Sequence, residues 1–249
     1  MHESQREFGF TFFNYEVIDS TNSEAWRLID RGQASSHSVI IAKRQSQGRG
    51  QRGHLWQSDL GGLYMSVILQ PHLQATDVHR ITLWAAWGIA KKLNATGVKV
   101  QIKWLNDLLI DHRKLGGILT ETRIEGGRIV YAVVGIGINW TNTVPERAIA
   151  LGELPTTLSS MEDLIEVVLD GILLGQTTSD REGMSNILQE YLAMLSDRQV
   201  SQTIDQQEHQ GEIIDIRPTG ELVVRWKAIN QDCIYQPQHF SVGYTNRIT

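Results

Sequence analysis

Four stretches of this chain combine residue types suited to chemistry on anions and acyl groups. The first is Gln45-Ser46-Gln47-Gly48-Arg49-Gly50-Gln51-Arg52-Gly53-His54-Leu55-Trp56, with three glycines, two arginines and a tryptophan between two apolar runs. Successive amide N–H groups in a glycine-rich turn form an anion nest, and an arginine fork adds two-point contact to phosphate or carboxylate. The plain alternative is a solvated surface loop. The segment is not a P-loop, because the Gly-Lys-Ser/Thr ending is absent. Gly48, Gly50 and Gly53 match the spacing of a dinucleotide-binding turn, but no acidic ribose ligand follows at the expected distance.

The second and third stretches are Lys103-Trp104-Leu105-Asn106-Asp107-Leu108 and Arg113-Lys114-Leu115-Gly116-Gly117-Ile118-Leu119-Thr120-Glu121. Lys103 and Lys114 bracket a strand–turn–strand, so both can reach one site. A hairpin with Asn106-Asp107 as turn formers, Trp104 as core and solvated lysines reads the same residues without a function. In the fourth stretch, Val134-Gly135-Ile136-Gly137-Ile138-Asn139-Trp140, glycines alternate along an apolar strand. Something packs directly on that backbone face, either a bulky neighbouring side chain or an apolar ligand.

The elements that must carry these residues follow from periodicity. Ser20-Thr21-Asn22 caps a helix bearing Glu24, Ala25, Trp26, Leu28 and Ile29, which Gly32 ends. Val39 to Ala42 and Leu63 to Leu69 are buried-strand candidates on either side of the glycine-rich stretch. Asp77 opens a helix with Val78, Ile81, Ala85, Ile89 and Leu93 at three- and four-residue spacing. Residues 99–103, 108–110, 117–122 and 129–138 are strand-like, and the turns Asp111-His112-Arg113 and Glu125-Gly126-Gly127 predict antiparallel hairpins. Residues 159–195 are helical, with an interruption expected around Thr177 to Asp180. After Arg198, short alternating stretches flank Arg217-Pro218-Thr219-Gly220, as in a small β-barrel-like domain of about five strands. The expected fold class is α+β: a mixed, largely antiparallel sheet with helices packed on one side, over residues 1–197, and a small β domain over 198–249.

Composition narrows the function classes. A chain of 249 residues with 41% hydrophobic and 20% charged residues is an ordinary globular protein. No apolar run reaches the roughly 20 residues of a membrane helix, and the polar start with Glu3, Arg6 and Glu7 is unlike a signal peptide. The single cysteine, Cys233, excludes an internal disulfide, suits a cytoplasmic setting and leaves no thiolate zinc site. The net charge of -5 argues against general nucleic-acid affinity, although the Arg49/Arg52 segment keeps a local basic loop in view.

In order and interval, Asp19-Ser20-Thr21-Asn22, the stretch from Gly48 to Trp56, Lys103 to Leu108, Lys114 to Glu121 and Gly135 to Asn139 resemble the motif set of the biotin–protein ligases, also called biotin–acetyl-CoA-carboxylase ligases. The resemblance implies a class II synthetase-like catalytic domain with an SH3-like C-terminal barrel. It implies activation of biotin by ATP to biotinyl-5'-AMP, then transfer to one lysine of a biotin carboxyl carrier domain. By resemblance Lys114, Arg49 and Asp107 are catalytic, with Asp107 near the incoming lysine. Ser20, Thr21, Gln45 and Arg49 hold the ureido ring, Leu119, Gly135 and Gly137 line the valeryl chain, Lys114 meets the carboxylate, and Asn22 and Gly48 also belong to the biotin site. Arg49, Gln51, Arg52, His54, Trp56, Asn106, Lys114 and Asn139 hold the nucleotide, with Mg²⁺ near Asn139, and Trp56 covers the intermediate.

Three positions depart from the family pattern. Gln51 and His54 stand where arginines are common, which implies weaker retention of the adenylate, and Leu105 stands where proline is common. The biotin motif begins close to residue 1, so no N-terminal winged-helix domain and no sequence-specific DNA binding are expected; either a monomer or a homodimer is compatible. Lipoate or octanoate ligases share the implied fold and adenylation, but their substrates lack a ureido ring. A non-catalytic biotin sensor is a further alternative, against which Lys114 and Asp107 both being present argues.

Overall fold

A computed structural model describes residues 5–7, 9–204, 207–227 and 231–237. Its strands are β1 (Gln5–Glu7), β2 (Phe10–Ile18), β3 (Ser38–Gln45), β4 (Leu63–Leu69), β5 (Gln101–Lys103), β6 (Asp107–Ile110), β7 (Arg113–Glu125) and β8 (Arg128–Ile138), then β9 (Gln199–Ile204), β10 (Gln207–Ile216), β11 (Leu222–Trp226) and β12 (Gln231–Tyr235). The helices are α1 (Thr21–Asp30), α2 (Val78–Asn94), α3 (Met161–Glu182) and α4 (Ser185–Ala193). The first eight strands form one mixed sheet in the order β1-β2-β3-β4-β8-β7-β6-β5. β2 and β3 run parallel across the α1 crossover, and the other pairs of that sheet are antiparallel.

Alternation along the strands divides the apolar residues between two layers. Val39, Met65, Val67, Val134 and Ile136 face the large core shared with α2, α3 and α4. Ile40, Ile68 and Val133 face the other way and meet Ala25, Leu28 and Ile29 of α1. The three later helices therefore cover one side, as expected, while the short α1 lies on the opposite face. That face carries Gly135, Gly137 and Ser66, out of step with the neighbouring core residues.

α2 is buried almost all round because it lies between the sheet and α3. The helices approach through glycines: a Cβ at Gly88 would stand 2.0 Å from the Gly171 carbonyl oxygen, and one at Gly175 would stand 2.3 Å from that of Trp84. Gly171→Ala would place its Cβ 2.7 Å from the Ile89 Cα, backbone against backbone. We expect this substitution to destabilise the protein by about 2 kcal/mol, read from urea unfolding. An unchanged midpoint would show that the helices can separate at no cost.

Both expected hairpin turns form, with Asp111, His112, Gly126 and Gly127 at positive φ. The helical region breaks elsewhere than expected. α3 runs unbroken through Thr177 to Asp180 and ends at Gly183, whose φ of 79° stops it. The weak helix formers there are held by tertiary contact, since the Arg80 guanidinium donates to the Ser179 hydroxyl and carbonyl.

The tail forms an antiparallel sheet in the order β12-β11-β10-β9. Among the described residues this sheet is open and four-stranded; a fifth strand or closure into a barrel would fall on residues outside them. Its apolar residues Val200, Ile213, Leu222, Val224 and Trp226 join the large core. Among the described residues no helix is long and apolar enough to cross a membrane.

Candidate functional site

The glycine-rich stretch is a tight hairpin standing on the α1 side of the sheet. Arg49 and Leu55 form an antiparallel bridge, Gly50 N–H donates to the His54 carbonyl at 2.7 Å, and Trp56 N–H donates to the Gly48 carbonyl at 2.9 Å. A side chain at Gly48 would stand 2.2 Å from the Trp56 carbonyl oxygen, so only glycine lets the two legs close. At the tip Arg52 takes a left-handed φ of 55° and donates to the Pro237 carbonyl at 3.2 Å. This geometry lays Trp56 over the sheet: a Cβ on Gly137 would meet the indole at 2.6 Å.

One end of the cavity beneath the hairpin is a buried polar network. Ser20, Thr21, Asn22 and Ser66 are all buried. Gln45 Oε1 accepts from Thr21 N–H at 2.8 Å, and Gln45 Nε2 donates to the Ser58 hydroxyl at 2.8 Å. Ser66 Oγ lies 2.8 Å from Thr21 Oγ1 and 2.7 Å from Asn22 Oδ1. A hydroxyl has one proton and an amide oxygen only accepts, so Ser66 donates to Asn22. The Asn22 amide nitrogen donates to Glu121 Oε2 at 2.9 Å. A Cβ on Gly135 would stand 2.1 Å from Asn22 Oδ1, which places this end directly over Gly135.

The other end is cationic. Lys114 Nζ lies 2.8 Å from Asp107 Oδ1 and 5.2 Å from the centroid of the Trp56 ring. Burial pulls the Lys103 ammonium below the ordinary lysine range; Asp107 opposes this and Lys114 adds to it. The β6–β7 register sets Asp107 opposite Gly117, where a Cβ would stand 3.4 Å from the carboxylate and 3.6 Å from Lys114 Cε. Tyr191 anchors the turn below by donating from its hydroxyl to the Leu105 carbonyl at 2.7 Å; the Trp104–Leu105 peptide is cis. The β7–β8 register pairs Gly117 with Gly137 and Leu119 with Gly135. The polar end and the cationic end are thus one two-residue step apart along the same strands, about 7 Å.

Of the expected residues, Ser20, Thr21, Asn22, Gln45, Arg49, Gln51, Arg52, His54, Trp56, Asn106, Asp107, Lys114, Leu119, Gly135 and Gly137 line a single cavity of about 680 Å³. Gly48 and Asn139 do not. Gly48 closes the base of the hairpin. Asn139 is buried behind the site, donating to the Lys114 carbonyl at 3.2 Å and accepting from Asn142 at 3.1 Å. Ser66 and Glu121 belong to the network although their role was not read from the sequence. A lone serine among the aliphatic and aromatic residues of Leu63–Leu69 is the signal that marks Ser66.

The residues present do not assemble a magnesium site. Among the described residues no group of three or more His, Cys, Asp or Glu could hold a metal ion. Among the described residues Asp107 is the one carboxylate lining the cavity, and Lys114 is paired with it. Asn139, the expected neighbour of the ion, has both ends of its amide engaged by protein.

A family model described as "Biotin/lipoate A/B protein ligase family" matches residues 15–139, about half of the chain. The bifunctional ligase/repressor BirA of Bacillus spizizenii is 35% identical over 146 residues, which are 58% of this chain and 45% of that one. The chain thus spans about half the length of that relative. The biotin–[acetyl-CoA-carboxylase] ligase of Paracoccus denitrificans is 26% identical over 227 residues, covering 86% of this chain and 93% of its own. The solved structure of a biotin protein ligase from Aquifex aeolicus, in complex with biotin and ATP, superposes with a TM-score of 0.73 at 22% identity, covering 91% of this chain and 96% of that one. At that identity the likeness is one of fold.

Proposed function

Because the chain belongs to the biotin/lipoate A/B protein ligase family, we propose that it is a biotin–protein ligase, which converts biotin and ATP to biotinyl-5'-AMP and passes the biotinyl group to a lysine of a biotin carboxyl carrier domain. One observation carries the choice of substrate: a buried hydroxyl and amide network over Gly135 stands about 7 Å along the strands from Gly117, beside which Lys114 lies. That spacing suits a ureido ring joined to a carboxylate by a valeryl chain.

In the first step a carboxylate oxygen of biotin bonds to the α-phosphorus, the bond to the β-phosphate oxygen breaks, and pyrophosphate leaves. Two anions must meet while negative charge grows on the leaving group, so preorganised cations do the work. Lys114 and Lys103 supply them at the chain end, and Arg52 at the hairpin tip. Trp56 lies over this end, and closing the hairpin excludes the water that would hydrolyse a mixed anhydride. In the second step the carrier amine bonds to the acyl carbon, AMP leaves, and the amine's proton goes to a base. In this reading the base is Asp107, whose carboxylate lies 2.8 Å from Lys114. Magnesium, bound to the nucleotide's own phosphates, would neutralise part of their charge as the two anions meet.

In this reading residues 1–197 carry the chemistry, while residues 198–249 form an accessory unit that reaches the site through the Pro237 carbonyl on Arg52. Lipoate, the other acid in the family's description, offers no partner to the buried polar end, and unpaired buried polar groups disfavour binding. The test is exchange of labelled pyrophosphate into ATP: it is expected with biotin and absent with lipoate. Exchange with lipoate alone would overturn the assignment of substrate.

Gln51 lines the cavity without the charge that an arginine would bring. Gln51→Arg is expected to slow release of the adenylate about fivefold, as one added charge-assisted contact would. Chasing bound labelled adenylate with unlabelled biotin and ATP measures this, and equal rates would contradict it.

A further inference from the structure

Glu121 takes no part in the reaction just described, yet its carboxylate ties together three elements. From β7 its Oε2 accepts from Asn22 Nδ2 at 2.9 Å and from the Trp26 indole N–H at 3.3 Å, both on α1. Arg49 of the glycine-rich hairpin donates to Oε1 at 2.5 Å and to Oε2 at 3.4 Å. The side chains of this pair are 45% and 24% exposed, for Arg49 and Glu121 respectively. An ion pair between two mobile exposed side chains contributes little. Here the α1 donors hold the acceptor in place from the other side, so the arginine fork meets a carboxylate that is already oriented.

The same carboxylate settles which way the Asn22 amide points. A carboxylate only accepts, so Asn22 turns its nitrogen to Glu121 at 2.9 Å, with the Leu119 carbonyl as a second, longer acceptor at 3.4 Å, and its oxygen to Ser66 and Gly135. The shorter of the two contacts that hold this acceptor over Gly135 is thus made by a charge outside the lining of the cavity.

We propose that Glu121 is a positioning residue that couples closure of the glycine-rich hairpin to the arrangement of the hydrogen-bonding end of the cavity. Ionised Glu121 holds Arg49, which pins the hairpin over the sheet, and at the same time fixes the Asn22 amide beneath it. Arg49 is neutralised in this arrangement and serves to hold the hairpin rather than to meet a phosphate. The consequence for biotin binding rests on the ligase reading, whereas the coupling between hairpin and carboxylate does not.

The test compares the wild-type chain with Glu121→Gln, Arg49→Gln and the double variant, by hydrogen–deuterium exchange of residues 46–57 without ligand and by biotin titration. Each single variant is expected to speed hairpin exchange about tenfold, the loss of a charge-assisted hydrogen bond, and the double no further than Arg49→Gln alone. Glu121→Gln is also expected to weaken biotin binding about tenfold, because the Asn22 amide loses its orientation. Unchanged exchange in Arg49→Gln, whose side chain is 45% exposed, would overturn the proposal. So would fully additive effects in the double variant. If wild-type protein binds no biotin, the ligase reading fails, and the exchange results still decide the coupling.

Discussion

Lys114→Ala is expected to slow formation of biotinyl-5'-AMP about a thousandfold, in the range found when one preorganised donor to a developing charge is removed. The lysine lies under Trp56 and against Asp107, at 5.2 and 2.8 Å. Its loss acts twice. On the proposed mechanism the cation nearest the reacting carboxylate disappears, and Asp107, with a side chain only 18% exposed, turns from a paired group into an uncompensated negative charge facing the two anionic substrates. Removing one partner of a partly buried pair costs more than the pair is worth, because the survivor is left behind. Asp107→Ala in the Lys114→Ala background should therefore restore part of the rate of the first step. Single-turnover pyrophosphate release measures both variants. A Lys114→Ala rate within tenfold of wild type would remove Lys114 from the centre of the chemistry, and no recovery in the double variant would show that Asp107 does not oppose the substrates.

Gly135→Ala is expected to weaken biotin binding about a hundredfold, the effect of two or more lost buried hydrogen bonds, and to lower stability by about 2 kcal/mol. The added Cβ would stand 2.1 Å from Asn22 Oδ1. Asn22 cannot swing away freely, because Ser66 and Glu121 hold its two ends at 2.7 and 2.9 Å. Gly137→Ala makes the informative contrast. There the Cβ meets the Trp56 ring at 2.6 Å, and that ring belongs to a hairpin that can lift. Gly137→Ala should leave the unfolding midpoint close to wild type while speeding exchange of the hairpin amides. Titration calorimetry and thermal unfolding separate the two cases. Equal biotin affinity in Gly135→Ala would mean that the buried polar end is structural and does not meet the ligand.

The parts of the molecule that were legible in the sequence are those determined by local pattern. α1, α2 and β4 lie where apolar spacing puts them, the two helices starting at Ser20 and Asp77 although neither side chain makes a capping hydrogen bond, and the four chemical stretches converge on one cavity. Pairing between distant residues was not legible. Glu121 meets Arg49 from 72 positions away and Asn22 from 99, and nothing in the spacing of either stretch records that contact. The same limit explains α3, where Thr177, Thr178 and Ser179 read as a break, but Arg80, 99 residues earlier, holds the turn helical. α1 lies opposite the other helices because alternation along β3 and β4 buries both faces, a pattern that does not say which helix covers which face.

Intact-mass analysis of a biotin carboxyl carrier domain, incubated with this protein, biotin, ATP and Mg²⁺, tests the central claim most directly. The account predicts a gain of one biotinyl group that needs ATP and disappears when the carrier's acceptor lysine is replaced. An unmodified carrier, under conditions in which a known biotin–protein ligase labels it fully, would contradict the account.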